Sequence, residues 1–247
     1  MYPETWHQIY SNMTGNSARQ ILPDLLRLFD AKSVVEIGCG NGHWTQAAID
    51  SGIEDYRVVD GPWNNRDDLL VDRSHFTEAD LGEPLNLGRR FDFGICLEVA
   101  EHVRGDRADI LIDTFERHTD VLLLGAAIPM QGGYGHINEQ WPSWWRDKMI
   151  ARGYAVFDLV RPKHWNDRSI HYWYRQNAFV YVKECNQAAI ERARQAATGT
   201  SSMLFDAVHP EKFNEIASYR SIAGKRLAKE LPHWMFRRLK ARLSGAE

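Results

Sequence analysis

A short β-type run, Ser33–Ile37 (SVVEI), breaks into Gly38-Cys39-Gly40-Asn41-Gly42 and then into a helix-forming stretch that reaches Asp50. Glycines at the end of a strand let the backbone turn sharply and approach a ligand without a Cβ in the way. The helix that follows presents unpaired amides at its start. The next apolar run, residues 56–59, stops at Asp60-Gly61, and Asp60 lies 22 residues after Gly38. An acid there can hold both hydroxyls of a ribose, which is how a doubly wound sheet keeps a ribose-bearing cofactor.

The rest of the chain continues the alternation. A short strand ends near Asp80, another spans 91–97, a helix covers about 106–118, and an apolar strand at 121–128 is closed by Pro129. Apolar strands separated by helices are the pattern of a parallel sheet covered on both faces. Beyond Pro129 come a polar loop (131–140), a helix (141–152), a strand (154–160), the aromatic segment HYWYRQN and a last strand (178–182). The two final strands suit an antiparallel pair at the edge. The expected fold is α/β: a Rossmann-like, doubly wound, mostly parallel seven-stranded sheet with an antiparallel edge strand, plus a C-terminal helical extension. The main domain is expected over 1–184, with the helices of 1–31 as a cap. The extension, 185–247, opens with a polar helix and a TGTSS stretch that reads as a linker.

Hydrophobic residues make up 44% of the 247, enough for a full core and too many for a disordered chain. A net charge of −3 disfavours extended nucleic-acid binding. The charge is uneven: residues 221–247 carry seven Lys or Arg against two Glu. That end, KRLAKELPHWMFRRLKARL, interleaves bases with apolar side chains. It suits peripheral contact with an anionic membrane, or packing on the domain or on the partner of a homodimer. The chain has no run of ~20 apolar residues and no signal-type start. Its three cysteines are far apart. A cytoplasmic protein is expected, at the inner face of the membrane if the tail binds lipid, with Cys39 and Cys96 as small buried residues.

The stretch VVEIGCGNG resembles the first motif of class I S-adenosylmethionine-dependent methyltransferases. Its G-x-G-x-G spacing fits a dinucleotide dehydrogenase, G-x-G-x-x-G, less well. Asp60 matches that family's ribose-binding acid, Ala79-Asp80-Leu81 its adenine-contacting segment, and FDFGICLEVAEHV (91–103) its fourth strand and following loop. The resemblance covers residues 30–183. It implies S-adenosyl-L-methionine held by Glu36, Gly38, Gly40, Gly42, Asp60, Gly61, Asp80, Leu81, Leu97 and Glu98.

Glu98, Glu101 and His102 follow the fourth strand as E-x-x-E-H. In the first turn of a helix they would share a face and form half of a divalent-metal site. The same residues would also serve as a solvated helix start. The pattern looks like that of ubiquinone-pathway O-methyltransferases. It is also similar to that of small-RNA 3′-terminal 2′-O-methyltransferases, in which two Glu, the His and a downstream His hold a divalent ion. That resemblance implies Glu98, Glu101, His102 and His136 around Mg2+ or Mn2+, with His136 as the catalytic residue. His136 could act as a ligand or, unaided, as a general base, since imidazole titrates near neutrality. The alternative is a loop histidine bonded to backbone.

Five of nine tryptophans lie between 141 and 173, beside Tyr134, Tyr154, Tyr172 and Tyr174. Such rings, flanked by Asn138, Glu139, Gln140, Arg175 and Gln176, would stack a sugar or close a core. GHINEQWPSWW with WYRQN looks like methyltransferases of bacterial polysaccharide and glycoconjugate pathways. The expected function is therefore O-methylation of a sugar hydroxyl on a glycan, a lipid-linked saccharide or a glycosylated metabolite. The alternatives are RNA-terminal 2′-O-methylation, small-molecule O- or N-methylation, and a non-catalytic scaffold.

Overall fold

The computed structural model describes residues 4–197 and 204–218, with side chains from residue 12 onward. A long helix, α1 (Glu4–Phe29), leads into β1 (Ser33–Ile37), and α2 (His43–Asp50) follows the glycine turn. Then come β2 (Asp55–Asp60), β3 (Phe76–Glu78), β4 (Phe93–Leu97), α3 (Ala108–His118) and β5 (Val121–Gly125). The remainder is α4 (Pro142–Ala151), β6 (Tyr154–Phe157), the short α5 (Arg161–His164) and α6 (Tyr172–Asn177), β7 (Phe179–Lys183), α7 (Gln187–Ala196) and α8 (Pro210–Ala217).

The seven strands form one sheet in the order β3-β2-β1-β4-β5-β7-β6. β7 runs antiparallel to both of its neighbours, and the pairs from β3 through to β5 are parallel. Strand residues alternate between two cores, as the period of two requires. Val121, Leu123, Val180 and Val182 pack with α1, α2 and α7, whereas Leu122, Leu124, Phe179 and Tyr181 pack with α3 and α4. A sheet coated on both faces leaves only its strand ends open to a ligand. In a doubly wound order, the crevice lies where β1 separates the two winding directions, at the C-terminal ends of β1 and β4.

Two compact units emerge, Met1–Ala207 and Val208–Glu247. The first includes α7, which packs on α1, β6 and β7. The TGTSS stretch and the basic tail lie outside the described residues. Cys39 and Cys96 are buried, free thiols. Among the described residues no helix is long and apolar enough to cross a membrane.

Candidate active site

The glycine turn sits where β1 ends. Gly38, Gly40 and Gly42 all have positive φ, at 81°, 52° and 81°. A Cβ on Gly38 would come within 2.3 Å of Val99. The turn therefore needs glycine for both backbone sign and close packing against the segment after β4. The amides of Gly38 and Cys39 both donate to the Val59 carbonyl, at 2.8 and 3.0 Å. Beneath the turn, buried Glu36 accepts from the Thr45 amide at 2.9 Å and the Thr45 hydroxyl at 2.5 Å, which ties β1 to α2. Burial pushes its pKa up to about 8, against the pull of the Thr45 donors.

Asp60, at the end of β2, is held from three sides. It accepts from the amides of Gly40 at 2.6 Å and Gly61 at 2.7 Å, and from Asn64 Nδ2 at 3.2 Å. Asn64 Nδ2 also donates to the Gly40 carbonyl at 2.7 Å. Ala79 donates to the Asp60 carbonyl, placing exposed Asp80 and buried Leu81 next along the same edge. Leu97 closes β4, and the Glu98 amide donates to the Gly125 carbonyl. The proposed cofactor residues thus line the C-terminal ends of adjacent strands.

At Glu98 the structure corrects the expected helix. The residue has φ 56°, in the left-handed region, and the following turn is a single 3-10 turn, Ala100–His102. The chain swings away from a helical path, and i, i+3, i+4 geometry does not apply. Glu98 does not join the candidate ligand set. Its two oxygens accept instead from Gln131 Nε2 at 2.6 Å and Asn177 Nδ2 at 2.9 Å. Burial raises its pKa to about 7, and the two amide donors offset part of that rise.

Glu101, His102 and His136 do come together, each offering an atom within 4.8 Å of the others. His136 Nε2 stands 3.8 Å from a Glu101 oxygen, and the two imidazoles meet edge to face with centroids 4.9 Å apart. The loop from Pro129 to Gln140 reaches back because Ile137 and Asn138 both donate their amides to the Glu101 carbonyl at 3.0 Å. His102 Nδ1 lies 3.2 Å from the Gly135 carbonyl, and His136 Nδ1 lies 3.0 Å from Glu139. Both partners can only accept, so both Nδ1 atoms carry hydrogen, and a neutral ring presents a bare Nε2. Partial desolvation and then the neighbouring His136 lower the pKa of His102, although the residue is exposed.

Glu101 is fully buried, and neither oxygen meets a donor at bonding geometry. Burial, followed by the Glu98 carboxylate, pushes its pKa well above the usual range, against the pull of the Glu101 and Ala127 amides. A carboxylate and two imidazole nitrogens thus converge as acceptors, and what they lack is positive charge. A divalent ion fits that donor set, and two imidazole nitrogens suit a first-row transition ion better than Mg2+.

Sequence reasoning missed Glu139 as the partner of His136, although the H-x-x-E spacing was visible. Of the aromatic region, for which both a sugar platform and a core were open, part closes the core. Arg175, Gln176, Trp145, Tyr154 and Tyr174 are buried. Arg175 donates to the Trp165 carbonyl at 2.7 Å and Tyr154 to that of Thr119 at 2.8 Å. Tyr134 and Trp141 stay exposed, beside the His136 loop in sequence.

A glycine turn feeding a helix, an acid ending the next strand and a 3-2-1-4-5-7-6 sheet define a class I methyltransferase, which uses S-adenosylmethionine. The chain belongs to the methyltransferase-domain family, whose model matches residues 6–179. Among solved structures it is similar to the sugar N-methyltransferase KedS8 from Streptoalloteichus sp. ATCC 53650, with 14% identity and a TM-score of 0.57 over 74% of this chain and 94% of that one. It is also similar to DesVI of Streptomyces venezuelae, at 13% identity and TM-score 0.54, over 74% of this chain and 99% of that one. SAM-bound CalS10, an amino pentose methyltransferase from Micromonospora echinaspora, gives 13% and 0.54, over 74% and 98%. No curated protein matches the chain significantly.

Proposed function

We propose that the enzyme transfers a methyl group to a sugar hydroxyl on a glycan, a lipid-linked saccharide or a glycosylated metabolite. Glu101, His102 and His136 would form its acceptor-activating centre. The observation that carries this reading is the buried Glu101 carboxylate without a donor, faced by His136 Nε2 at 3.8 Å. The glycine turn, Asp60 and the residues after β3 and β4 would hold the cofactor. Methyl transfer from a sulfonium is an in-line displacement, so alignment does most of the work. The acceptor oxygen bonds to the methyl carbon as the carbon–sulfur bond breaks, and the hydroxyl proton must leave. His136 Nε2 is a fixed acceptor for that proton, and Glu139 would stabilise the imidazolium formed. With a divalent ion held by Glu101, His102 and His136 instead, Nε2 would be a ligand rather than the base; the ion would lower the hydroxyl pKa and orient a vicinal diol, and the proton would leave to solvent.

An ammonium group answers the same need, since it brings positive charge and three donors. The second reading is therefore N-methylation of an amino sugar, and two of the similar structures are described as sugar N- and amino pentose methyltransferases. Radiolabelled cofactor, offered with neutral saccharides, amino sugars and RNA, with and without chelator, tests both. Label is expected as O-methyl in neutral saccharide, lost with chelator and in His136→Ala. Chelator-resistant N-methyl label would move the assignment to the second reading. Saccharide label that survives both chelator and His136→Ala would remove the proposed centre altogether.

A further inference from the structure

We propose that Glu139 is the positioning residue of the acceptor site, fixing both the orientation and the tautomer of His136. This rests on the reading that His136 works on the acceptor. Glu139 Oε1 accepts from the Gly132 amide at 2.6 Å and His136 Nδ1 at 3.0 Å, while Oε2 accepts from the Met130 amide at 2.8 Å. Two oxygens thus collect three donors, all from the loop that carries the histidine. A carboxyl group, with acceptor lone pairs on both oxygens, satisfies that set. A flip of the ring would turn Cδ2 toward Glu139 in place of Nδ1 and leave Oε1 short of a donor. Its far edge is confined as well, because His136 Nε2 lies 2.2 Å from where a Cβ on Gly133 would sit. The consequence is a bare Nε2 aimed at Glu101 before any ligand arrives. Partners that orient a histidine in this way typically change metal affinity or activity 10- to 100-fold when removed.

Glu139→Gln tests the idea, since an amide can accept at one end only and must set N–H against N–H at the other. In metal-free protein with 15N-labelled histidine, long-range 15N–1H correlation spectra report each ring's tautomer, and His136→Ala assigns the signal. The native enzyme is expected to show His136 as the Nδ1–H tautomer and Glu139→Gln to shift it toward Nε2–H. The same change should lower kcat about 10- to 100-fold with the KM for S-adenosylmethionine unchanged. Glu139→Asp, which restores the carboxylate, should recover the native tautomer and part of the rate. An unchanged tautomer in Glu139→Gln overturns the proposal, as does a cofactor KM that rises in step with the loss of kcat, the mark of a loop that has merely loosened. If instead His136→Ala turns over normally, the acceptor-site reading fails, and the tautomer result still decides whether Glu139 orients the ring.

Discussion

The two halves of the sheet's mouth are built on opposite principles. On the β1–β2 side, Asp60 already accepts from Gly40, Gly61 and Asn64, and Glu36 from Thr45. On the β4–β5 side, neither oxygen of buried Glu101 meets a donor at bonding geometry, and His136 Nε2 stands 3.8 Å away with His102 beside it. A carboxylate held by backbone amides has its position set by the fold. A carboxylate left without donors is costly by about 1–3 kcal/mol and finds its compensation in what binds. The first side therefore shapes a pocket, and the second stores a demand for charge.

The sharpest break of that contrast comes from Glu101→Gln. Neither oxygen of this buried group has a donor at bonding geometry, so a neutral amide of similar shape should leave metal-free stability within about 1 kcal/mol. Turnover, which needs the negative charge, should fall about 10²- to 10⁴-fold. Thermal melts beside initial rates read both quantities. A large loss of stability with activity retained would mean that the carboxylate serves the fold.

Asp60→Asn probes the other side and should do the reverse. An amide at this position must turn an N–H toward the amide of Gly40 or of Gly61, so both the cradle and the ribose contact weaken. Charge-assisted hydrogen bonds contribute about 1.5–3 kcal/mol each. Titration calorimetry with S-adenosylhomocysteine should show affinity down about 10- to 100-fold, with the His136 tautomer unaffected. Equal damage at both sites would erase the division drawn here.

How much of each half can be read from sequence follows from the range of the interactions that build it. The cofactor side rests on neighbours in sequence or on adjacent strands: Gly40 to Asp60, Glu36 to Thr45. Glycines and strand ends reveal such contacts. The acceptor side is assembled from residues far apart. The E-x-x-E-H run suggested a helix with Glu98 inside it, but Glu98 is drawn into a left-handed turn by Gly125 and bound by Gln131 and Asn177. Residues 33 and 79 positions away decide that outcome, and no local period reports them. Arg175 and Gln176 look like a polar rim in sequence, yet α6 turns both into the interior. α1 carries Pro23 within it, where a break would be expected from sequence.

Gly133→Ala gives a finer test, because it alters the acceptor side without removing a polar group. Gly133 has no need of a positive φ, so the change acts through its Cβ, which would meet His136 Nε2 at 2.2 Å. The tip of a side chain yields more easily than backbone, so stability should drop by less than about 1 kcal/mol. The displaced ring should lower kcat about tenfold and leave cofactor affinity as it was. A rate equal to the native one would show that His136 tolerates displacement, and alignment at Nε2 would lose its importance.

Glu36, on the side that is already satisfied, sharpens the contrast through pH and not through turnover. Its folded pKa, about 8, lies above the ordinary carboxyl value near 4.5, so the folded chain binds this proton more tightly than the unfolded one. Its stabilising contribution is then fully present below about pH 4.5 and is lost as the pH rises toward 8. The slope from one group is at most about 1.4 kcal/mol per pH unit. Glu98, also raised, adds a slope of the same sign below its own value near 7. Melting temperatures taken from pH 5 to 8.5 should fall for the native enzyme and fall less for Glu36→Gln, whose amide oxygen can still accept from Thr45. Parallel curves for the two proteins would assign the titration to Glu98 and Glu101, and the strain of burying carboxyl groups would then lie wholly on the acceptor side.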